Sequence, residues 1–303
     1  MAASAKVRVP ATVANLGPGF DALGVAIRMH LEVEIEPRRD SIEVMVEGEG
    51  AEQLPEDDTN LVIRSMNAFF DHVGRRPPGF AVRVKNPIPI ASGLGSSAAA
   101  VVGGLFAARA VTGRTVPQAE MVALATSLEG HADNVMPALL GGLVVCYRDA
   151  RSSELRYLRI DPSDRLVPIV AVPRQGYPTS EARKALPEDV SFADAQFTAS
   201  RAALLVAAIT TGAGSDVLAD AMDDRLHEPH RMKLMPETAA VHMEIRDAGL
   251  PVALAGAGPS LLIVVPRPEA ATRAEQIRRI CRARDEGWRV FVSEWEPLGA
   301  IAD

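Results

Sequence analysis

Apolar and polar positions alternate along the first third of the chain. Leu31 to Ile35, then Ile42, Val44 and Val46, then Phe80, Val82 and Val84 place an apolar side chain at every second residue, the period of half-buried strands. Between them, Leu61, Val62, Met66, Phe69 and Phe70 fall at helical spacing, with Asp58 or Thr59 as cap and Gly74 and Pro77-Pro78 as stop. Two more helices are predicted over Ser97 to Thr112, closed by Gly113, and Val116 to Leu128. Gly141 to Val145 then reads as a turn entering a strand.

The polar stretch from Arg148 to Arg165 interrupts this pattern, and Val167 to Val172 opens a new buried strand. Helical spacing returns at Ala193 to Thr211, Ser215 to Leu226 and Pro236 to Ala248. A strand-turn-strand around Gly256, a helix near Pro268 to Arg284 and a strand at Val290 to Val292 finish the chain. The pattern predicts two α+β domains, residues 1–160 and 161–303, with a ligand cleft where they meet.

Composition adds bounds. The chain has 303 residues, 48% of them hydrophobic, enough for one large or two medium cores. The opening MAASAKVRVP has no apolar signal region, and the long apolar run Ala98 to Ala108 is broken by glycines and ends at Arg109. A cytoplasmic protein without membrane attachment is expected. The net charge of −7 argues against a nucleic-acid partner, whose phosphates require a broad basic face. Cys146 and Cys281 have neither metal-ligand spacing nor a disulfide framework and are expected to be buried and inert.

Candidate chemistry concentrates in Pro89, Ile90, Ala91, Ser92, Gly93, Leu94, Gly95, Ser96 and Ser97, a glycine- and serine-rich turn feeding an alanine-rich helix. Gly93 and Gly95 can take positive φ and turn successive amides toward an anion, and the helix start adds partial positive charge. Of Ser96 and Ser97, one could cap the helix and the other ligate Mg²⁺. No Lys-Ser or Lys-Thr follows, so this is not a Walker A loop, and the third glycine of the dinucleotide fingerprint is missing. On spacing alone, a capped turn without a ligand fits as well.

The string Pro89 to Ala100 closely resembles the phosphate loop of the GHMP kinase superfamily. Pro10-Ala11-Thr12-Val13-Ala14-Asn15-Leu16-Gly17-Pro18-Gly19-Phe20-Asp21 and Ala255-Gly256-Ala257-Gly258-Pro259-Ser260 resemble its other two signatures, in the expected order. Ala14 to Asp21, Glu129-Gly130-His131-Ala132-Asp133-Asn134-Val135 and Pro137 to Gly142 resemble the homoserine kinase branch. The resemblance covers nearly the whole chain. It implies an N-terminal domain like the second domain of ribosomal protein S5 and a ferredoxin-like C-terminal domain. It also implies transfer of the ATP γ-phosphoryl group to the hydroxyl of L-homoserine in threonine biosynthesis, with Mg²⁺, by a homodimer. A GHMP kinase for mevalonate or a sugar, and a non-catalytic ligand sensor, are the rival readings.

The same resemblance assigns residues. Asn15, Asp21, Asn134 and Thr179 fall at positions near the reacting hydroxyl, with Asp21 suited to an ammonium group. Arg183 and Arg231, helped by His131, match positions that hold the carboxylate; Asn60 matches one near adenine; Ser97 and Glu129 match the Mg²⁺ site. Mevalonate kinases carry a candidate base, an aspartate, where Asn134 aligns, so a dedicated base is not expected here. Each residue also has an ordinary alternative: solvated helix charges for the arginines, a turn for Asn15, a cap for Asp21. A permanent transition-metal site at Glu129, His131 and Asp133 lacks a fourth ligand. Val13 and Ala255 stand where the superfamily favours a hydroxyl residue.

Overall fold

In the computed structural model, which describes residues 4–303, the chain forms two sheets. Met1 to Ala3, where the expected first domain and the segment read for a signal begin, lie outside the described residues. The first sheet holds β1 (Ala5–Ala14), β2 (Leu23–Arg38), β3 (Ile42–Gly48), β4 (Gly79–Asn86), β5 (Leu143–Arg148), β6 (Leu155–Ile160) and β11 (Ile301–Ala302), in the order β11-β1-β2-β4-β3. Its length lets β2 serve two neighbours: Leu23 to Val25 pair with β5, and Glu32 to Arg38 pair with β4, while β6 pairs with β5.

Ten helices accompany the strands in the described residues: α1 (Leu61–Val73), α2 (Ser96–Thr112), α3 (Gln118–Glu129), α4 (Ala132–Leu140), α5 (Thr179–Lys184), α6 (Phe192–Thr211), α7 (Ser215–Ala221), α8 (Glu228–Arg231), α9 (Pro236–Asp247) and α10 (Ala270–Arg284). Helix α2 lies on β1 and β2, and α1 packs on α2. Burial of Val9, Val33, Met66, Phe69, Phe80, Val102 and Leu105 joins this layer to the sheet.

The second sheet has the order β10-β7-β9-β8, from β7 (Leu166–Val172), β8 (Val252–Leu254), β9 (Leu261–Pro266) and β10 (Arg289–Val292). Strand β7 is buried throughout, and its period of two explains how. Val167, Ile169 and Ala171 join Ile245 and Ile277 on the side of α9 and α10. Leu166, Val170 and Val172 share the larger core with Leu205 and Ile209 of α6 and Leu218 of α7. The pairing yields the two mixed α+β units that the pattern predicts.

Several boundaries differ from the expectations, each for a local reason. The helix capped by Asp58 or Thr59 in the sequence reading is capped by Asn60, whose side-chain carbonyl accepts from Val62 N at 2.9 Å. Asp57 instead binds the Thr59 hydroxyl and amide. Helix α7 stops at Ala221, short of Leu226, because the Asp224 carboxylate takes the amides of Leu226, His227 and Glu228. Strand β6 lies inside the stretch read as polar interruption. The unit expected over 161–303 does not stay on its own sheet: Trp295 bridges Ile27, and β11 pairs with β1. That return covers the edge of β1, which would otherwise leave a row of unpaired backbone groups. Cys146 and Cys281 are buried, and burial pushes both thiols up to about 12. No helix of the described residues is long and apolar enough to cross a membrane.

Candidate active site

A cleft of about 390 Å³ opens between the first sheet, α5, α8 and the turn that leads into β9, and every candidate site residue named from the sequence lines it. The phosphate-loop candidates Pro89 to Ser97 form its floor. Asn60 stands at one end, beside Val46, Leu54, Pro55 and Val62; Asn15, Asp21, Glu129, His131, Asn134, Thr179, Arg183 and Arg231 gather at the other.

Local sequence explains the floor. Ala91, Gly93 and Gly95 all have positive φ, Gly95 being the left-handed residue that precedes α2. A Cβ at Gly93 would run into the Ala255 carbonyl, and one at Gly95 into the Thr12 hydroxyl. The glycines are therefore required where the three sequence signatures pack on one another, a tighter demand than ligand approach alone. Ser96 and Ser97 are the first two residues of α2, and no side chain caps that helix. The serine cap allowed by the sequence reading does not form, because glycine occupies the cap position. The uncapped first turn of a long helix presents amide donors and partial positive charge to the cleft, a suitable seat for an anion.

At the other end, side chains from distant segments converge. Asn15 Nδ2 donates to the Gly256 carbonyl at 2.8 Å, and its Oδ1 accepts from Asp21 N at 3.0 Å. Asn15 is buried and both ends of its amide are engaged, so it ties the first signature to the third. Asp21 binds Arg183 Nη2 through both carboxylate oxygens at 2.8 and 2.9 Å. Arg231 Nη1 donates to the Gly256 carbonyl at 3.1 Å, while its Nε, although buried, has no protein partner. Both guanidinium groups lie over the Phe20 ring, at 5.8 Å for Arg183 and 5.4 Å for Arg231.

Ser97 Oγ donates to Glu129 Oε1 at 2.8 Å, and the other Glu129 oxygen takes the His131 amide at 2.8 Å. Contact with Glu129 raises the His131 pKa against the opposing effect of burial. Thr12 Oγ1 donates to Asn134 Oδ1 at 3.1 Å, which turns the Asn134 amino group toward the cleft. Thr12 has no chemical signature in the sequence beyond its place in the first motif.

Asp133 is the residue whose separate role sequence reasoning missed. It sits in the first turn of α4, almost wholly buried, and burial reinforced by the Asp21 charge pushes its carboxyl up to about 7. Its signal was present in the Glu129 to Val135 string, but adjacency to His131 suggested only a metal. Among the described residues no three His, Cys, Asp or Glu side chains converge as a metal set. Ser97 and Glu129 do supply two adjacent hard oxygen atoms beside the anion seat. That donor set suits Mg²⁺ completed by phosphate oxygens and water.

Residues 60–142 match the GHMP kinases N terminal domain and residues 205–283 the GHMP kinases C terminal domain. The chain is 43% identical over 264 residues to a homoserine kinase of Streptomyces coelicolor, covering 86% of this chain and 84% of that protein. It belongs to the homoserine kinase family of GHMP kinases. A homoserine kinase of Moorella thermoacetica is 45% identical over 257 residues, 84% of this chain and 86% of that protein. The crystal structure of homoserine kinase from Cytophaga hutchinsonii superposes with a TM-score of 0.85 at 28% identity, covering 100% of this chain and 98% of that one. GHMP kinases take ATP as co-substrate.

Proposed function

We infer that this chain is an ATP-dependent homoserine kinase, transferring the γ-phosphoryl group to the side-chain hydroxyl of L-homoserine to give O-phospho-L-homoserine and ADP. The observation that carries the reading is the juxtaposition of an anion seat with two arginines over one aromatic ring and a buried carboxyl, all in one cleft.

Arg231 and Arg183 hold the α-carboxylate, for which a guanidinium offers two parallel donors. His131, half-buried beside them, adds a third donor. Asp133 holds the ammonium group. Burial and the Asp21 charge push its carboxyl up to about 7, and an arriving cation restores the charged form. Asp21, expected to meet the ammonium, has both oxygens on Arg183 and serves to orient that side chain. With both ends of the amino acid fixed, the hydroxyl extends past Thr179 toward Asn134, whose amino group orients its oxygen. Asn15 supports this corner from behind through Gly256.

Ser97 and Glu129 would hold Mg²⁺, which when bound would supply positive charge to neutralise the phosphates. The amides from Ser92 to Ser97 and the start of α2 hold the β- and γ-phosphates. No side chain at the hydroxyl corner is a free base, since Asn134 is an amide and Asp21 is paired. Catalysis then rests on in-line positioning and electrostatic stabilisation. The enzyme is cytoplasmic and homodimeric in this reading, and sedimentation analysis tests the second point.

The direct test is ADP release from Mg·ATP with L-homoserine, run beside mevalonate, galactose, L-serine and L-threonine. Turnover confined to homoserine is expected. Tight ATP binding without homoserine turnover would send the reading to another alcohol or to a sensor.

A further inference from the structure

Behind Arg231 lies a histidine that the mechanism above does not use. His227 is completely buried. Its Nε2 is 2.8 Å from the Gly17 carbonyl and its Nδ1 is 3.1 Å from Arg231 Nη1. A carbonyl only accepts and a guanidinium only donates. The two contacts therefore fix the ring: Nε2 carries the hydrogen, Nδ1 carries the lone pair, and the imidazole is neutral. Protonating Nδ1 would set an N–H against the Arg231 cation.

Other contacts fix where the ring stands. The Asp224 carboxylate receives the amides of Leu226, His227 and Glu228, which locks the backbone turn that carries the imidazole. Phe20 stacks on the imidazole at a centroid distance of 5.1 Å and an interplanar angle of 28°. The same Phe20 ring underlies Arg231. Gly17 has positive φ, and a Cβ there would strike the Met222 carbonyl, so its carbonyl is held in one orientation. Burial drives the His227 pKa down, against the charge of Asp224, in agreement with a neutral ring.

We propose that His227 is the positioning residue for substrate carboxylate recognition: it links the Gly17 turn to the Arg231 guanidinium and sets the angle at which Arg231 meets the carboxylate. With Nη1 bound to His227 and to the Gly256 carbonyl, Nη2 and Nε form the free edge of the fork, the edge suited to two parallel hydrogen bonds. Arg231 Nε is buried and has no protein partner competing for it. The proposal rests on the reading of Arg231 as carboxylate partner.

The test separates the two ring nitrogens. His227→Gln can keep a donor near the Nε2 place but has no acceptor at Nδ1; His227→Asn offers an oxygen near the Nδ1 place. His227→Gln is expected to raise KM for L-homoserine about 10-fold, the scale of one lost hydrogen bond to a charged group. The KM for ATP and kcat should stay within about twofold. His227→Asn should recover most of the loss. Against L-homoserinamide, which lacks the carboxylate charge, the Gln penalty should shrink toward none. Equal losses in Gln and Asn, or an equal Gln penalty with both substrates, would overturn the proposal. Should either variant fold poorly, ¹⁵N resonances of the unmodified enzyme decide: an Nδ1–H tautomer or a doubly protonated ring at His227 removes the link. Equal turnover of homoserine and its amide by the unmodified enzyme would instead remove the carboxylate reading of Arg231, and this proposal with it.

Discussion

The two ends of the cleft are built by different means. The end proposed for the phosphates is made of backbone: a glycine-bearing turn and the uncapped start of α2, contiguous from Pro89 to Ser97. The end proposed for the amino acid is made of side chains drawn from the first signature, α4, α5 and α8, which lie far apart in the chain. A backbone seat binds any phosphate chain of the right size and depends on close packing of main chain. A side-chain seat reads one ligand and depends on charges that are balanced only when the ligand arrives. Substitutions at the first end should act on ATP and folding together, and those at the second on homoserine alone.

The largest effect is expected at Gly93. Gly93→Ala forces a Cβ onto the Ala255 carbonyl at a positive φ, a combination of backbone strain and overpacking costing about 2–4 kcal/mol. Weaker ATP binding by calorimetry and a lower Tm should appear together. A normal Tm with intact ATP affinity would break the comparison.

Asp133→Asn comes next and should spare ATP. Loss of a buried charge partner should raise KM for homoserine about 10²-fold. The empty enzyme should respond in the opposite direction. Because the native pKa of Asp133 is raised from 3.8 to about 7, its stability contribution is complete below the unfolded value and is lost as pH rises through the native one. The Asn variant should therefore gain thermal stability over the parent between about pH 4 and pH 7, with a constant gap above. Parallel melting curves across that range would remove the raised carboxyl.

A smaller change is expected for Asp21→Asn. The Asp21–Arg183 pair is largely exposed, each side chain retaining over two-fifths of its accessible surface, and such pairs contribute about 0–1 kcal/mol. KM for homoserine should rise a fewfold with kcat retained; a collapse of kcat would restore Asp21 as a base. Smallest is Asn60→Ala, which removes the α1 cap and the bond to the Pro55 carbonyl. About 1 kcal/mol of stability should be lost, while Asn60→Asp should keep the cap through Oδ1. If the two variants lose equal stability, Asn60 does not act through its cap.

Sequence by itself determined the strand and helix periods, the two α+β units and the glycine-bearing turn before α2. These depend on neighbours within a few residues: alternation in β3 and β4, helical spacing in α1, glycines before α2. It also proposed Arg183, Arg231 and Glu129 by resemblance, without giving any reason for them to meet in one cleft. Only the tertiary structure decided partnership. Asp21 pairs with Arg183 across 162 positions and Asn15 with Gly256 across 241. Burial first, and then the charge of distant Asp21, raises Asp133, and the His227 ring acquires its tautomer from a carbonyl and a guanidinium 210 positions before it and 4 after. The β1–β11 pairing was likewise invisible, since two residues at the chain end carry no strand period of their own. Hydrogen-bond partners and desolvation are properties of the surroundings, and no local pattern along a chain encodes which distant surface will come to rest against it.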